Sequence, residues 1–308
     1  MIIYEKLSST DDEFMQSEFA PMLKWLKDDR EAIYDPDYND MLRVCLMHKF
    51  GRGKLKDLVN LLSGRDFETR TFKEEIAENS FNQLTSGVKN FMNEYNFKNF
   101  VLLIKACGFI NEKLLNSKMT LDFAYTLYLI LNNSKDIDKI EIKRFVQKWF
   151  VLSTLTSRYI GSPESQMDRD LRNIEEKGFR RFFAEVEEAE LSDTFWNVEL
   201  VQNLETSSVN SPYLCVFWAA SCREGSDSLF NKGSKFSNIL VANLLQTAPV
   251  FLLYIRGTGS AGQGKGPPGP RAAGCAGSII PAGTTITETG RQGQGEPYEP
   301  EHACSRRG

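Results

Sequence analysis

Residues 121–131, LDFAYTLYLIL, decide the fold class of this chain. A helix formed by this stretch would carry apolar side chains on nearly every side, with Leu121, Tyr125, Tyr128, Leu129 and Leu131 on one side and Phe123, Leu127 and Ile130 on the other. A helix that is apolar all round is typical of the centre of a bundle rather than of its surface. The stretch therefore predicts the core helix of a helical protein.

Most of the chain before residue 239 shows the same near-3.6 spacing of apolar residues, interrupted by short polar or glycine-containing breaks. The predicted helices cover 14–26, 40–50, 54–62, 72–95, 97–109, 119–132, 138–157, 164–176, 179–190, 192–203 and 212–222. The sequence has neither a series of alternating β-branched runs nor a repeat of fixed period. We therefore expect an all-α fold, an irregular multi-helix bundle over residues 1–238.

The composition changes near the C-terminus of the sequence. Residues 257–308 hold 13 of the 22 glycines and 6 of the 11 prolines. Glycine loses the most backbone entropy on ordering and proline interrupts regular structure, so this part predicts a disordered Gly/Pro-rich tail. Residues 239–256 form an apolar segment of uncertain structure. Because Pro249 and polar residues interrupt it, it falls short of a span of about 20 residues, and a membrane is not an expected partner.

The net charge and the number of cysteines and histidines limit the classes of function that the sequence predicts. The net charge of -4 excludes an overall basic excess, although a local basic patch remains compatible with it. Six widely spaced cysteines and only two histidines, His48 and His302, indicate neither a metal site nor a catalytic residue set, and no cofactor is predicted. For His48 we expect a partner of the helix C-terminal dipole or a residue at the edge of the core. The N-terminal residues lack the apolar region of a signal peptide, which predicts a cytoplasmic protein with free thiols.

Two stretches could attract a phosphate group. Residues 51–54, Gly-Arg-Gly-Lys, offer glycines and cations but lack P-loop spacing, and a glycine that ends one helix before the next is the alternative interpretation. The second stretch lies within 141–174, where a helix ends before a Ser-Pro-Glu-Ser turn. There Ser162 can cap the next helix with Pro163 in its first position, with Ser165 or Glu164 reaching the free amides.

The candidate phosphate or nucleic-acid ligands around this turn are Arg158, Tyr159, Ser162, Ser165, Arg169 and Arg172. The first turn of a helix presents unpaired N–H groups to an anion, and the arginines would add charge. The alternative is that Arg158 pairs with Glu164 or Asp168 and locks the corner between two helices.

Several long segments carry a family resemblance: WFVLSTLTSRYIGSPES at 149–165, LSDTFWN at 191–197, SSVNSPYLCVFWAA at 207–220, LVNLLSGRDFETR at 58–70 and LDFAYTLYLIL at 121–131. Together they resemble the helical half of a prokaryotic ParB/sulfiredoxin-like domain-of-unknown-function family typified by GmrSD-type, modification-dependent restriction proteins. The resemblance covers roughly residues 1–240. In that family an N-terminal region with a DGQQR-type motif is associated with nucleotide-dependent activity, and many members carry an HNH nuclease region with an HHIFP-like motif.

Neither of those motifs occurs in this sequence. We therefore expect a fragment whose residues after about 240 are not family sequence. The resemblance implies a non-catalytic helical scaffold of a restriction or defence protein, which positions DNA or another protein subunit. The alternative is a helical protein-interaction module that uses exposed aromatic residues such as Phe195, Trp196 and Trp218 and has no nucleic-acid role.

Overall fold

The computed structural model describes residues 33–134, 136–206, 208, 211–228 and 233–244. This part of the chain forms eleven α-helices: α1 (Tyr38–Phe50), α2 (Leu55–Leu62), α3 (Glu74–Phe91), α4 (Glu94–Lys105), α5 (Lys118–Asn132), α6 (Lys139–Leu155), α7 (Pro163–Lys177), α8 (Phe179–Glu190), α9 (Leu200–Thr206), α10 (Pro212–Arg223) and α11 (Phe236–Leu244). No strand occurs among these residues, where extended pairing is limited to two isolated β-bridges. The predicted all-α fold is confirmed.

Helix α1 shows how flanking residues set the helix ends. The Asp37 side chain accepts hydrogen bonds from the backbone N–H groups of Asn39 and Asp40, and the Asp40 side chain accepts one from the Asp37 N–H. At the other end Gly51 adopts a left-handed φ of 61° and its N–H donates to the Met47 carbonyl. A residue with a Cβ is strained in that conformation, so the interpretation of Gly51 as a helix-ending glycine is confirmed.

Helix α5 is the central helix that the sequence predicts. It packs against α1 and α6, and eleven of its 15 residues are buried. The ring of Tyr125 contacts Phe91, Phe97 and Phe100, with centroids 5.3, 5.7 and 4.8 Å away. Its hydroxyl donates to the Phe91 carbonyl at 2.8 Å, which supplies the buried polar atom with a partner. The apolar pattern of residues 121–131 thus corresponds to the core.

A buried ion cluster joins α1 to α5. Arg43 Nη1 donates to Asp40 Oδ1 at 3.2 Å and to Asp122 Oδ2 at 3.0 Å, while the Tyr34 hydroxyl donates to Asp122 Oδ1 at 2.8 Å. Burial and the neighbouring Asp40 carboxylate raise the pKa of Asp122 to about 7. Two buried carboxylates therefore share one guanidinium group. Apolar spacing did not predict this cluster, because its charges occupy positions that the pattern treats as interruptions.

The break between two of the predicted helices lies at a different residue from the one predicted. The predicted helices 72–95 and 97–109 separate at Asn93 rather than at Asn96. The reason is the Asn93 side chain, which accepts a hydrogen bond from the Asn96 N–H and so caps α4 three residues earlier.

Other predictions fall partly or wholly outside the described residues. The predicted helix 192–203, in contrast, lies within the described residues and is helical, with a π-helix over Phe195–Glu199 that continues into α9. The predicted helix 14–26 and the tail 257–308 lie outside the described residues, as does the apolar segment beyond residue 244. Among the residues that are described, none of the helices has the length and apolar character needed to cross a membrane.

Candidate functional site

The turn between α6 and α7 is one of the two predicted phosphate sites. Ser157 and Gly161 both have positive φ, 54° and 87°, and Ser162 and Pro163 occupy the N-cap and first positions of α7 as predicted. The Ser162 side chain, however, makes no capping hydrogen bond, so that part of the prediction is wrong. Its ψ of 63° lies outside the extended region from which an N-cap hydroxyl reaches the amides of the next turn.

Arg158 locks the corner between the two helices. Its Nε and Nη2 donate to the two carboxylate oxygens of Asp170 at 2.8 and 2.7 Å, and its Nη1 donates to Glu190 at 3.4 Å. The predicted partners, Glu164 and Asp168, are wrong, because the turn directs Arg158 to a residue two helical turns into α7. The corner lock itself is confirmed. With its three nitrogens engaged, Arg158 is not available as a phosphate ligand.

Tyr159 is also committed to this corner. It is buried, and its hydroxyl donates a hydrogen bond to Asp170 Oδ2 at 2.9 Å. The Tyr159 hydroxyl oxygen in turn accepts a hydrogen bond from Trp149 Nε1 at 3.1 Å. Burial, together with the nearby Asp170 carboxylate, raises the pKa of Tyr159 well above its ordinary value, so the hydroxyl remains a donor. Asp170 accepts a further bond from Gln166 at 2.9 Å. Tyr159 is therefore a structural residue and not a ligand at the surface.

The other three candidates lie on the exposed face of α7. Ser165, Arg169 and Arg172 are exposed and line one hollow, whereas Arg158 and Tyr159 lie on the buried side of the corner. Ser162 is exposed at the start of the helix but does not line this hollow. The six predicted residues thus divide into a structural pair, an isolated N-cap and a set of three at one surface.

Residues 51–54, the other predicted stretch, lie directly beside this face. The Gly53 N–H donates to Asp168 Oδ1 at 3.1 Å, across 115 positions of sequence. A Cβ on Gly53 would lie 2.4 Å from the Asp168 backbone nitrogen and 2.5 Å from the Glu164 carbonyl oxygen. The glycine is therefore needed for the close approach of two backbones, rather than of a backbone and a phosphate.

Asp168 links the two segments. Burial opposes its charge, yet the hydrogen bonds from the Gly53 N–H and the Arg172 guanidinium hold the pKa of Asp168 below its ordinary value. The carboxylate is thus an ionised anchor that fixes residues 51–54 on α7 and orients Arg172.

Two neighbouring hollows that share lining residues form along this junction, and we call them together the α7 groove. The smaller, of about 430 Å³, is lined by Lys54, Ser165, Arg169, Arg172, Asn173 and Glu176. The larger, of about 580 Å³, is lined by Phe50, Gly51, Arg52, Lys54, Lys56, Asp57, Phe67, Asp168, Arg172 and Glu175. Lys54 and Arg172 line both hollows, so one ligand could occupy the two together.

The charges of the α7 groove are only partly balanced. Arg52 lies 3.5 Å from Asp57, and Arg172 is paired with Asp168. Within the described part of the chain, Lys54, Lys56 and Arg169 have no ion-pair partner within 4 Å. These three cations supply the local positive charge that the overall composition conceals.

Comparison with known proteins leaves the family open: no family model, no curated protein and no solved structure matches the chain. The resemblance to GmrSD-type proteins therefore stays a prediction.

His48 lies at the edge of the core. Burial, and secondarily the Lys49 charge, lowers the pKa of His48 to about 4, so the ring is neutral at pH 7 and is not a charged partner of the helix dipole. Its Nε2 lies 3.1 Å from Asn133 Nδ2. Among the described residues no group of three or more His, Cys, Asp or Glu side chains could hold a metal ion.

The three aromatic residues proposed for protein binding are placed differently from one another. Phe195 and Trp218 are buried, so the expectation that they are exposed is wrong, and Trp196 is 36% exposed. Phe195 instead packs its ring against Tyr213 at 6.4 Å. Among the described residues of this region, the large apolar side chains that are exposed are Trp196, Val198 and Val201.

Replacing Gly53 with alanine tests the junction directly. The added Cβ would overlap two backbone atoms of α7, so residues 51–54 must move away. We expect a loss of about 1–3 kcal/mol in the free energy of unfolding, the usual cost of overpacking, measured by urea denaturation. Gly161→Ala is the control for strain alone, since its positive φ is unfavourable to alanine but no atom lies within 4 Å. A Gly53→Ala variant as stable as the wild type would contradict the close approach.

Proposed function

We propose that the helical region is a non-catalytic scaffold of a restriction-type defence protein and that it holds nucleic acid by its phosphate groups at the α7 groove. The observation that carries the proposal is the junction between residues 51–54 and α7, which surrounds one hollow with Lys54, Arg169 and Arg172. Lysine, arginine and serine side chains are the common ligands of nucleic-acid phosphates. The family resemblance supports nucleic acid as the source of that phosphate.

The proposal concerns binding and not catalysis. It follows the sequence, in which the two motifs that the resemblance associates with activity are missing. Positioning of nucleic acid by a scaffold needs cations on a rigid support. The ionised Asp168 supplies that support, since it bonds to Gly53 and to Arg172 at once. We place the protein in the cytoplasm, and the buried free thiols of Cys45 and Cys215 support a reducing compartment.

The test is binding of the full chain to a labelled DNA duplex and to the corresponding single strand across a salt series. We expect the affinity to fall with salt concentration, since each neutralised phosphate adds about -0.7 to -0.9 to the slope of log K against log salt. The double variant Lys54→Glu/Arg169→Glu should weaken binding at least tenfold and flatten this slope.

The matched control is Lys143→Glu/Arg144→Glu, which reverses two exposed cations on α6, away from the α7 groove. It makes the same change in net charge, so equal losses in both double variants would indicate a non-specific effect and contradict the proposal. Absence of salt-dependent binding to either DNA form would also overturn it. Arg158 is unsuitable for this test, because its replacement would disrupt the helix corner.

The alternative, a protein-interaction module without a nucleic-acid role, has one observation in its favour. Trp196, Val198 and Val201 expose apolar surface next to one another in sequence. The surface is small, because Phe195 and Trp218 are buried. We therefore favour the α7 groove.

A further inference from the structure

An arginine stacked on an aromatic ring forms one wall of the α7 groove. The Arg52 guanidinium carbon lies 3.9 Å from the centroid of the Phe67 ring, and Asp57 holds the same guanidinium at 3.5 Å. Both side chains line the larger hollow. Arginine planes and aromatic rings are the surfaces on which proteins stack unpaired nucleobases. The contacts of a single phosphate do not account for this wall.

The segment that carries Phe67 is held in a defined conformation. The Asp66 carboxylate accepts hydrogen bonds from the backbone N–H groups of Glu68 and Thr69 at 2.9 and 3.1 Å and from Lys73 Nζ at 2.9 Å. These bonds hold the pKa of Asp66 well below its ordinary value. Phe67 is therefore positioned before any ligand arrives, which lowers the entropy cost of stacking.

Charge divides the groove into two compartments. In the larger hollow three carboxylates nearly balance four cations, and carboxylates accept hydrogen bonds from the amino groups of a base. The carboxylates are Asp57, Asp168 and Glu175, and the cations are Arg52, Lys54, Lys56 and Arg172. In the smaller hollow the cations Lys54, Arg169 and Arg172 outnumber the one carboxylate, Glu176, and this excess of positive charge suits a phosphate. The larger hollow, of about 580 Å³, falls within the ordinary range of small-ligand pockets.

We propose that the α7 groove binds an unpaired nucleotide, with its base stacked on the Arg52–Phe67 wall and its phosphate on Lys54 and Arg169. The source of that nucleotide is a single strand rather than an intact duplex, because the faces of bases in a duplex are covered by their neighbours. This inference rests on the proposed function and adds the class of nucleic acid.

The experiment compares three labelled ligands with the full chain by fluorescence anisotropy: a short single-stranded DNA, the same strand with abasic sites, and its duplex. We expect the single strand to bind at least tenfold more tightly than the abasic strand, in line with the usual contribution of base stacking. Phe67→Leu should remove this difference and leave abasic binding unchanged. Phe72→Leu is the control, since Phe72 is 68% exposed on the same segment but does not line the groove.

The outcomes separate the two proposals. Equal binding of the intact and abasic strands overturns base stacking, yet leaves phosphate binding standing. Absence of binding to all three ligands overturns both. The comparison of ligands uses the wild-type chain, so it tests base stacking even if a Phe67 variant does not fold. A nucleoside monophosphate added as a competitor identifies the source of the bound nucleotide. If the mononucleotide displaces the labelled strand, the site binds free nucleotides as well as strands. If it does not, the site binds strands.

Discussion

Replacing Asp170 with alanine is expected to lower the free energy of unfolding by about 3–5 kcal/mol, the usual cost of removing one partner from a buried ion pair. Asp170 is fully buried and accepts hydrogen bonds from Arg158, Tyr159 and Gln166. Alanine would leave the half-buried guanidinium and the buried Tyr159 hydroxyl without this acceptor. Urea denaturation followed by far-UV circular dichroism measures the loss.

Two further variants make the result specific. Asp193→Ala removes an exposed carboxylate and should change the free energy of unfolding by no more than about 0.5 kcal/mol. The double variant Arg158→Met/Asp170→Leu removes both charges and should recover part of the loss, because a buried ion pair is commonly replaceable by apolar groups. A loss below about 1 kcal/mol for Asp170→Ala would show that the corner does not depend on this carboxylate.

The dependence of the corner on Asp170 also explains why the six predicted ligand residues do not form one site. Sequence reasoning grouped Arg158 and Tyr159 with Arg169 because they are near one another along the chain. The turn at Ser157 and Gly161, both with positive φ, directs the first two toward the interior and leaves Arg169 outside. A positive φ at a serine has no clear signature in a single sequence, so the division could not be predicted.

The fold was more predictable than the site. Residues 121–131 are apolar enough that a helix formed by them must be buried on all sides. This holds whichever helices pack around it. The identity of the helices that pack around residues 121–131, however, depends on contacts between residues that are distant in sequence. Gly53 and Asp168 are 115 positions apart, and no local pattern in either segment indicates that they meet. The close approach is visible only when the missing Cβ is placed against the backbone of α7.

The second large effect is expected at Arg43. Its replacement by methionine should cost about 3–5 kcal/mol near pH 7, because Asp40 and Asp122 would then face each other in the interior without a cation. The loss should be constant below about pH 6, where Asp122 is protonated with or without Arg43. It should grow as pH rises through 7 and above, because only the wild type can ionise Asp122 beside a cation. Urea denaturation at several pH values measures both. A loss that does not vary with pH would contradict the role of Arg43 as their shared counter-ion.

The wild-type protein should show a related pH dependence through Asp122. Its pKa is about 7 in the folded chain against an ordinary 3.8, so between these values the folded protein holds a proton that the unfolded chain has released. The resulting stabilisation is complete below pH 3.8 and is lost as pH rises through 7, at up to about 1.4 kcal/mol per pH unit. His48 acts in the opposite sense between pH 4 and 6.5, because its pKa is lowered.

A comparison with Asp122→Asn separates these two opposing contributions. Asparagine keeps the shape and hydrogen-bonding oxygen of the protonated acid but does not titrate, and His48 is the same in both proteins. The free energy of unfolding of the wild type minus that of Asp122→Asn should therefore decrease as pH rises from 4 to 8. A constant difference would mean that Arg43 and the Tyr34 hydroxyl stabilise the Asp122 carboxylate enough to offset its burial. In that case Arg43→Met should still destabilise the fold, since it would remove that stabilisation.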